Sequence, residues 1–206
     1  MSSQIKDHWE NVFLNKKPTE MSWFQEKPET SLDFIRLAKL PETARIIDVG
    51  GGDSFLIDFL LEEGYENLSL LDISSKALEN VKERLGEKAA KVEFICSNVV
   101  DYQSEMQYFD FWHDRASFHF LTRKEDIDKY VELVGKSIKP GGYLNIGTFS
   151  DQGPLKCSGL EIRQYSEKDL NSMFEKEFKK IRCINEEHLT PFNTYQNFTF
   201  CSFQRK

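Results

Sequence analysis

Arg45-Ile46-Ile47-Asp48-Val49-Gly50-Gly51-Gly52-Asp53-Ser54 joins a short β-branched run to an acid and then to three glycines. Phe55, Leu56, Phe59 and Leu60 follow at helical spacing. The pattern predicts a buried strand, a tight turn and the start of a helix, which is the opening of a βαβ unit. Glycines let a backbone approach a ligand closely, and a helix N-terminus offers unpaired N–H donors. A dinucleotide fingerprint would need glycine at position 55, where Phe55 stands, and has no acid two residues before its first glycine. Asp48 instead falls at the carboxyl end of the strand, where it can face a cationic ligand group.

The remaining composition narrows the class. A chain of 206 residues suits one domain, long enough for an open sheet covered on both faces. Phenylalanine is plentiful, so a sizeable core and an aromatic pocket are both expected. The formal charge of −7 argues against nucleic acid, which would call for a basic patch. Charges interrupt every apolar run, so neither a signal peptide nor a membrane partner is expected, and the protein reads as a cytoplasmic monomer. Cys96, Cys157, Cys183 and Cys201 are widely spaced and include no CxxC. They suit a reduced protein, with neither a disulfide frame nor a metal site.

The second strand is predicted at Leu68–Asp72. An acid there, about 20 residues beyond the glycines, can accept both ribose hydroxyls of a nucleoside-containing cofactor. The bland alternative is a partner for the dipole of the next helix. The combination D-x-G-x-G at 48–52 followed by Asp72 resembles the cofactor site of class I S-adenosylmethionine-dependent methyltransferases. That resemblance implies an α/β, Rossmann-like single domain: seven strands, mostly parallel, helices on both faces and an antiparallel last strand. The cofactor would be S-adenosyl-L-methionine, touched by Asp48, Gly50, Gly52, Asp72 and the following Ile73. In the family an acid-plus-apolar pair after the third strand holds adenine. By register that pair is Asn98-Val99, where Asn98 replaces the usual Asp and can still accept from an exocyclic amine. Asp101 is the alternative.

Ahead of the first strand, His8-Trp9-Glu10-Asn11-Val12-Phe13 is followed by Met21-Ser22-Trp23-Phe24. This W-x-x-x-[YF] pattern with a later W-F pair is similar to the N-terminal arm of eukaryotic elongation-factor lysine methyltransferases. The resemblance carries a cofactor contact, as a lid, to Trp9, Phe13 and Trp23; the alternative is ordinary packing of a terminal arm. Residues 1–40 would form this arm with a first helix, capped by Thr30 or Ser31, and residues 41–206 the cofactor-binding domain.

Phe109-Asp110-Phe111-Trp112-His113-Asp114-Arg115-Ala116-Ser117-Phe118-His119-Phe120 matches the family's fourth strand and the turn after it. Ligands of open parallel sheets bind at the carboxyl ends of strands. His113, Asp114 and Arg115 would therefore lie beside the transferring methyl. His113, Asp114 and His119 are the candidate bases, with His188 and Tyr165 behind them, and Arg115 is expected at the cofactor's amino-acid end or at the acceptor. Alternatively Asp114 and Arg115 brace one another, and His119 packs in the turn.

Further on, Thr122-Arg123-Lys124-Glu125 reads as a capping box before a long helix. Pro140-Gly141-Gly142 stops that helix and leads into a fifth strand, Tyr143–Phe149. The loop Asp151–Tyr165 would shape the acceptor pocket. Ser166 caps another helix, and strands near Phe178–Asn185 and Gln196–Gln204 complete the sheet around a turn at His188-Leu189-Thr190-Pro191. The resemblance spans Trp9 to Phe203. It implies in-line methyl transfer to a small-molecule acceptor, with a protein lysine as the alternative. From a different class, the chain could be a non-catalytic nucleoside-binding or scaffold protein.

Overall fold

The computed structural model describes residues 2–206. The strands are β1 (Arg45–Val49), β2 (Asn67–Asp72), β3 (Val92–Cys96), β4 (Phe109–Arg115), β5 (Ile138–Phe149), the short β6 (Lys156–Cys157) and β7 (Leu160–Glu161), β8 (Phe178–Leu189) and β9 (Tyr195–Arg205). The main sheet has seven strands in the order β3-β2-β1-β4-β5-β9-β8, and β6 pairs only with β7. β1 to β5 run parallel, whereas β9 is antiparallel to both β5 and β8. The chain winds outward from β1 to β3 and then crosses to β4. The order thus reverses between β1 and β4, and a cleft opens there at the carboxyl ends.

Helices cover both faces: α1 (Ser2–Asn15), α2 (Glu29–Leu37), α3 (Leu56–Glu62), α4 (Ser75–Leu85), α5 (Lys124–Ser137) and α6 (Glu167–Phe174). Because successive strand residues point to opposite faces, neighbours divide between two cores. Ile46 and Phe111 join Leu32, Leu60 and Val81 on one side. Ile47 and Trp112 join Tyr130, Val134 and Phe174 on the other. These aliphatic and aromatic side chains are what hold the strand ends, and therefore the cleft, in register.

Several local expectations are corrected. α2 is preceded by Pro28 and receives no side-chain cap from Thr30 or Ser31. Arg123, not Thr122, precedes α5, and no side chain caps it, although Glu125 and Asp126 still favour the positive end of the helix. β5 begins at Ile138, because its first residue already pairs with Phe109 across a register shift. β8 continues through His188 and Leu189, which leaves the turn at 190–194. Ser166 caps α6 as expected, in a reciprocal pair with Asp169. The expectation of wholly reduced cysteines also fails. Cys183 and Cys201 oppose each other directly in β8 and β9 and are joined by a disulfide. Cys96 and Cys157 are free.

Candidate functional site

The glycine loop leaves β1 as the sequence pattern requires. Gly50 donates its N–H to the Leu71 carbonyl at 2.7 Å, which ties the turn to β2. Gly50 and Gly52 have φ of +63° and +56°, a region that side chains rarely tolerate. A Cβ on Gly50 would lie 2.3 Å from Cβ of Ser117, and one on Gly52 would lie 2.8 Å from Cζ of Phe13. Behind the loop, Arg84 of α4 donates to the carbonyls of Asp53 and Ser54 and pairs with Asp58.

Asp72 is buried at the end of β2, and its two oxygens receive different donors. Oδ2 accepts the Gly52 N–H at 2.9 Å and Oδ1 the Ser74 N–H at 2.8 Å. Burial pushes its pKa up to about 7 against the pull of these hydrogen bonds, and Asp48 and Asp53 add to the rise. Among the described residues, no cationic group pairs with it. The carboxylate keeps spare lone pairs toward the cleft, which suits hydroxyl donors.

Asp48 and His113 belong together. His113 Nδ1 lies 2.7 Å from Asp48 Oδ1, and its Nε2 lies 2.8 Å from Ser31 Oγ. All three residues are buried. α2 brings in Ser31, β1 brings Asp48 and β4 brings His113. Arg115, two residues further along β4, falls on the same face. Its two terminal nitrogens donate to the Trp23 carbonyl at 3.1 Å. It therefore does not brace Asp114.

Asp114 points the other way, as the alternation of a strand demands. Its carboxylate accepts from Tyr130 Oη at 2.7 Å and from the N–H groups of Ser117 and Phe118. Burial raises its pKa to about 6, with those donors opposing the rise. His119 is also turned into the protein, against Phe120 and Phe149, where Nδ1 accepts the Phe149 N–H. Burial drives its pKa down to about 3. Neither Asp114 nor His119 lines the cleft, so both depart from the expected place beside a reacting group. Tyr165 packs on Phe118 in the core, and His188 donates to the Ser22 carbonyl.

The cleft is a cavity of about 340 Å³. Asp48, the three glycines, Asp72, Ile73, Asn98, Val99, His113 and Arg115 line it, together with Trp9, Phe13 and Trp23 from the arm. Asp101 is on its wall as well. Asn98 uses its side-chain oxygen to accept the Val100 N–H at 3.3 Å, which fixes its orientation beside Val99. Trp9 packs edge-on against Trp23 and Phe120 and tilts onto Phe13. The arm thus roofs the glycine loop.

Three residues important to this arrangement escape a reading of the sequence, and a fourth, Cys157, lies in the loop already expected to shape the acceptor pocket. Glu10 of α1 reaches the N-terminus of α4, where it accepts from Ser74 Oγ, Ser75 N and Oγ, and Lys76 N. Burial alone would raise its pKa, but these hydrogen bonds prevail and hold it at about 2. Ser31 supports His113 in place of capping its helix. Cys157 of β6 and Ser117 also line the cavity. None has a local pattern announcing its role, although the clash of a Gly50 side chain with Ser117 shows how tightly the two turns abut.

Comparison with known proteins agrees with this geometry. Residues 46–142 match the family model described as a methyltransferase domain. The chain is 23% identical over 155 residues to zebrafish (Danio rerio) EEF1A lysine methyltransferase 2, covering 68% of this chain and 66% of that one. It is 28% identical over 124 residues to malonyl-[acyl-carrier protein] O-methyltransferase 2 of Ilyobacter polytropus, covering 60% of this chain and 44% of that one. The chain spans at most 66% of the length of the curated relatives it matches. In fold it is similar to the N-methyltransferase NodS of Bradyrhizobium japonicum, solved with S-adenosyl-L-homocysteine, with a TM-score of 0.76 at 13% identity and 97% of each chain covered.

Proposed function

We propose that the chain, whose residues 46–142 match a methyltransferase domain model, is a class I S-adenosylmethionine-dependent methyltransferase moving a methyl group from S-adenosyl-L-methionine to a small-molecule acceptor. The observation that carries this reading is Asp72: a buried carboxylate beside a glycine cradle, supplied with two backbone donors and, among the described residues, no cation. Ribose hydroxyls are the natural complement. Ile73, Asn98 and Val99 would bracket the adenine. Gly50 and Gly52 would let the backbone approach the amino-acid part, with Asp48 near its ammonium. Trp9, Phe13 and Trp23 would close over the whole.

When bound, the cofactor supplies a methyl group already activated on a sulfonium. This chain's residues must hold the acceptor in line, exclude water and receive a proton where the acceptor carries one. His113 is the candidate base that borders the cavity. Both its nitrogens are engaged, so taking a proton at Nε2 means giving up the Ser31 hydroxyl. The aromatic wall of Trp9, Trp23 and Phe120 favours a small acceptor. The likeness to EEF1A lysine methyltransferase 2 supports a protein lysine as the second reading.

Among the described residues no helix is long and apolar enough to cross a membrane. A monomer remains our reading of assembly, and the cytoplasmic location expected from the sequence has to accommodate one disulfide. The Cys183–Cys201 bridge speaks against a strongly reducing compartment.

Calorimetric titration with S-adenosylmethionine, S-adenosylhomocysteine and NAD tests the cofactor. Saturable binding of the first two, with none for NAD, is expected. Binding of NAD alone would overturn the reading. Methyl transfer from labelled cofactor, to small-molecule extracts or to protein, then decides the acceptor.

A further inference from the structure

Arg115 is a cation set in the cavity wall without an anion. Its terminal nitrogens share one acceptor, the Trp23 carbonyl, and among the described residues no carboxylate oxygen lies within 4.0 Å of it. A guanidinium presents a planar fork of N–H donors and no acceptor, so most of its donor capacity is unused. Its neighbours cannot supply the charge. Trp23 and Phe120 are aromatic, and burial holds the Cys157 thiol up at about 12, so it is not a thiolate. Asp48 acts on Arg115 only at longer range and is already joined to His113, and Glu186 is likewise farther than an ion pair. Burial lowers the pKa of Arg115 from its ordinary value, the expected result for an uncompensated charge.

The flank on which Arg115 sits shows which ligand would answer it. The ribose acid is on β2 and the glycine loop follows β1, whereas Arg115 is on β4. Trp23, Ala116, Phe120 and Cys157 belong to an aromatic cluster with Phe149, Phe198 and Phe200 of β5 and β9. That cluster lies on the side of β4 away from the nucleoside end. Resting on the methyltransferase reading, we propose that Arg115 recognises a carboxylate on the methyl acceptor, and that the acceptor is a small organic acid with a flat apolar body. A carboxylate matches the fork with two parallel hydrogen bonds, and the aromatic wall matches the body.

The test uses the full chain saturated with S-adenosylhomocysteine, titrated calorimetrically with benzoate and with its neutral isostere benzamide. Benzoate should bind at least about tenfold more tightly, the scale of charge-assisted hydrogen bonds. Arg115→Gln should abolish that preference while S-adenosylhomocysteine affinity stays within about threefold of the parent. Should the Gln variant fail to fold, Arg115→Lys keeps the charge without the fork and should reduce the preference. Equal binding of the two probes, no binding of benzoate, or a preference that survives in the variant would overturn the proposal. So would a loss of more than about tenfold in S-adenosylhomocysteine affinity, since Arg115 would then serve the cofactor. If the parent chain binds no S-adenosylhomocysteine at all, the methyltransferase reading itself falls, a result distinct from all of these.

Discussion

His113 joins Asp48 to Ser31: one ring nitrogen lies 2.7 Å from the carboxylate and the other 2.8 Å from the hydroxyl. A neutral imidazole satisfies both, with Nδ1 donating to Asp48 and Nε2 accepting from Ser31. The link ties β1, β4 and α2 together directly beneath the cleft. It also explains why Asp48 can be buried at 2% exposure while, among the described residues, no Lys or Arg forms an ion pair with it.

Two substitutions separate the members of this chain of hydrogen bonds. Ser31→Ala leaves one buried nitrogen without a partner and should cost about 1–3 kcal/mol. His113→Ala strands both the hydroxyl and the Asp48 carboxylate and should cost about 3–5 kcal/mol, the scale for orphaning a buried charge. Urea unfolding of the two variants measures the difference. Equal losses would mean that the Asp48 contact contributes nothing.

Asp72 gives the cofactor site a pH dependence of known sign. Held at about 7 in the free protein, it takes up a proton near neutrality. Ribose hydroxyls donate to the ionised form, so bound cofactor should lower this value. S-adenosylhomocysteine affinity should be flat above roughly pH 8 and fall below about 7, by up to about tenfold per unit. Asp72→Asn should remove the slope, and Asp72→Ala should weaken binding at pH 8 by about 2–4 kcal/mol. Calorimetry between pH 5.5 and 8.5 reads the slope, and a flat profile for the parent chain would exclude the ribose role.

The parts of this site that were legible in the sequence are those whose chemistry is local. A β-branched run, an acid and three glycines imply a strand, an exposed strand end and a turn, whatever the rest of the chain does. Asp72 could be placed because a βα unit has a nearly constant length. His113 and Asp114 show where such reasoning stops. As strand neighbours they must face opposite sides, so only one could enter the cleft, and local pattern did not say which. Ser31 and Glu10 were illegible for another reason. Their partners lie 82 and 64 residues away, and only the packing of α2 on β4, and of α1 on α4, brings them together. The pairing of Cys183 with Cys201 likewise depends on the register of β8 against β9, which spacing alone does not reveal.

Glu10 should govern closure of the arm. Its carboxylate occupies the free N–H groups at the start of α4, a favourable end of the helix dipole. The folded pKa of about 2 lies below the ordinary 4.5. The contribution to docking is therefore complete above about 4.5 and is lost as pH falls toward 2. Glu10→Ala should loosen α1 by about 1 kcal/mol, as for loss of a cap. Faster limited proteolysis within residues 1–28 and several-fold weaker S-adenosylhomocysteine binding are expected, with an unchanged melting transition for the sheet. Unaltered proteolysis and affinity would show that Trp9, Phe13 and Met21 hold the arm without help.

Asp114 should prove to be a strut for the turn after β4 and not a base. Its oxygens are occupied by Tyr130 and by the amides of Ser117 and Phe118, and Ser117 is the residue that abuts Gly50. Loss of the carboxylate would leave three donors unpaired, two of them buried, so Asp114→Ala should cost about 2–4 kcal/mol of stability. The sign of its titration supplies a second readout. The folded pKa of about 6 exceeds the ordinary 3.8, so the folded chain binds the extra proton between those values. The stability associated with the protonated form is full below pH 3.8 and is lost as pH rises through 6. Asp114→Asn cannot titrate, and its stability relative to the parent should therefore improve across pH 4 to 6. Chemical unfolding at several pH values checks this. The catalytic alternative would instead leave stability nearly unchanged in the Asn variant and abolish turnover with S-adenosylhomocysteine binding intact. Finding that combination would return Asp114 to the reaction and require its side chain to leave Tyr130 during the cycle.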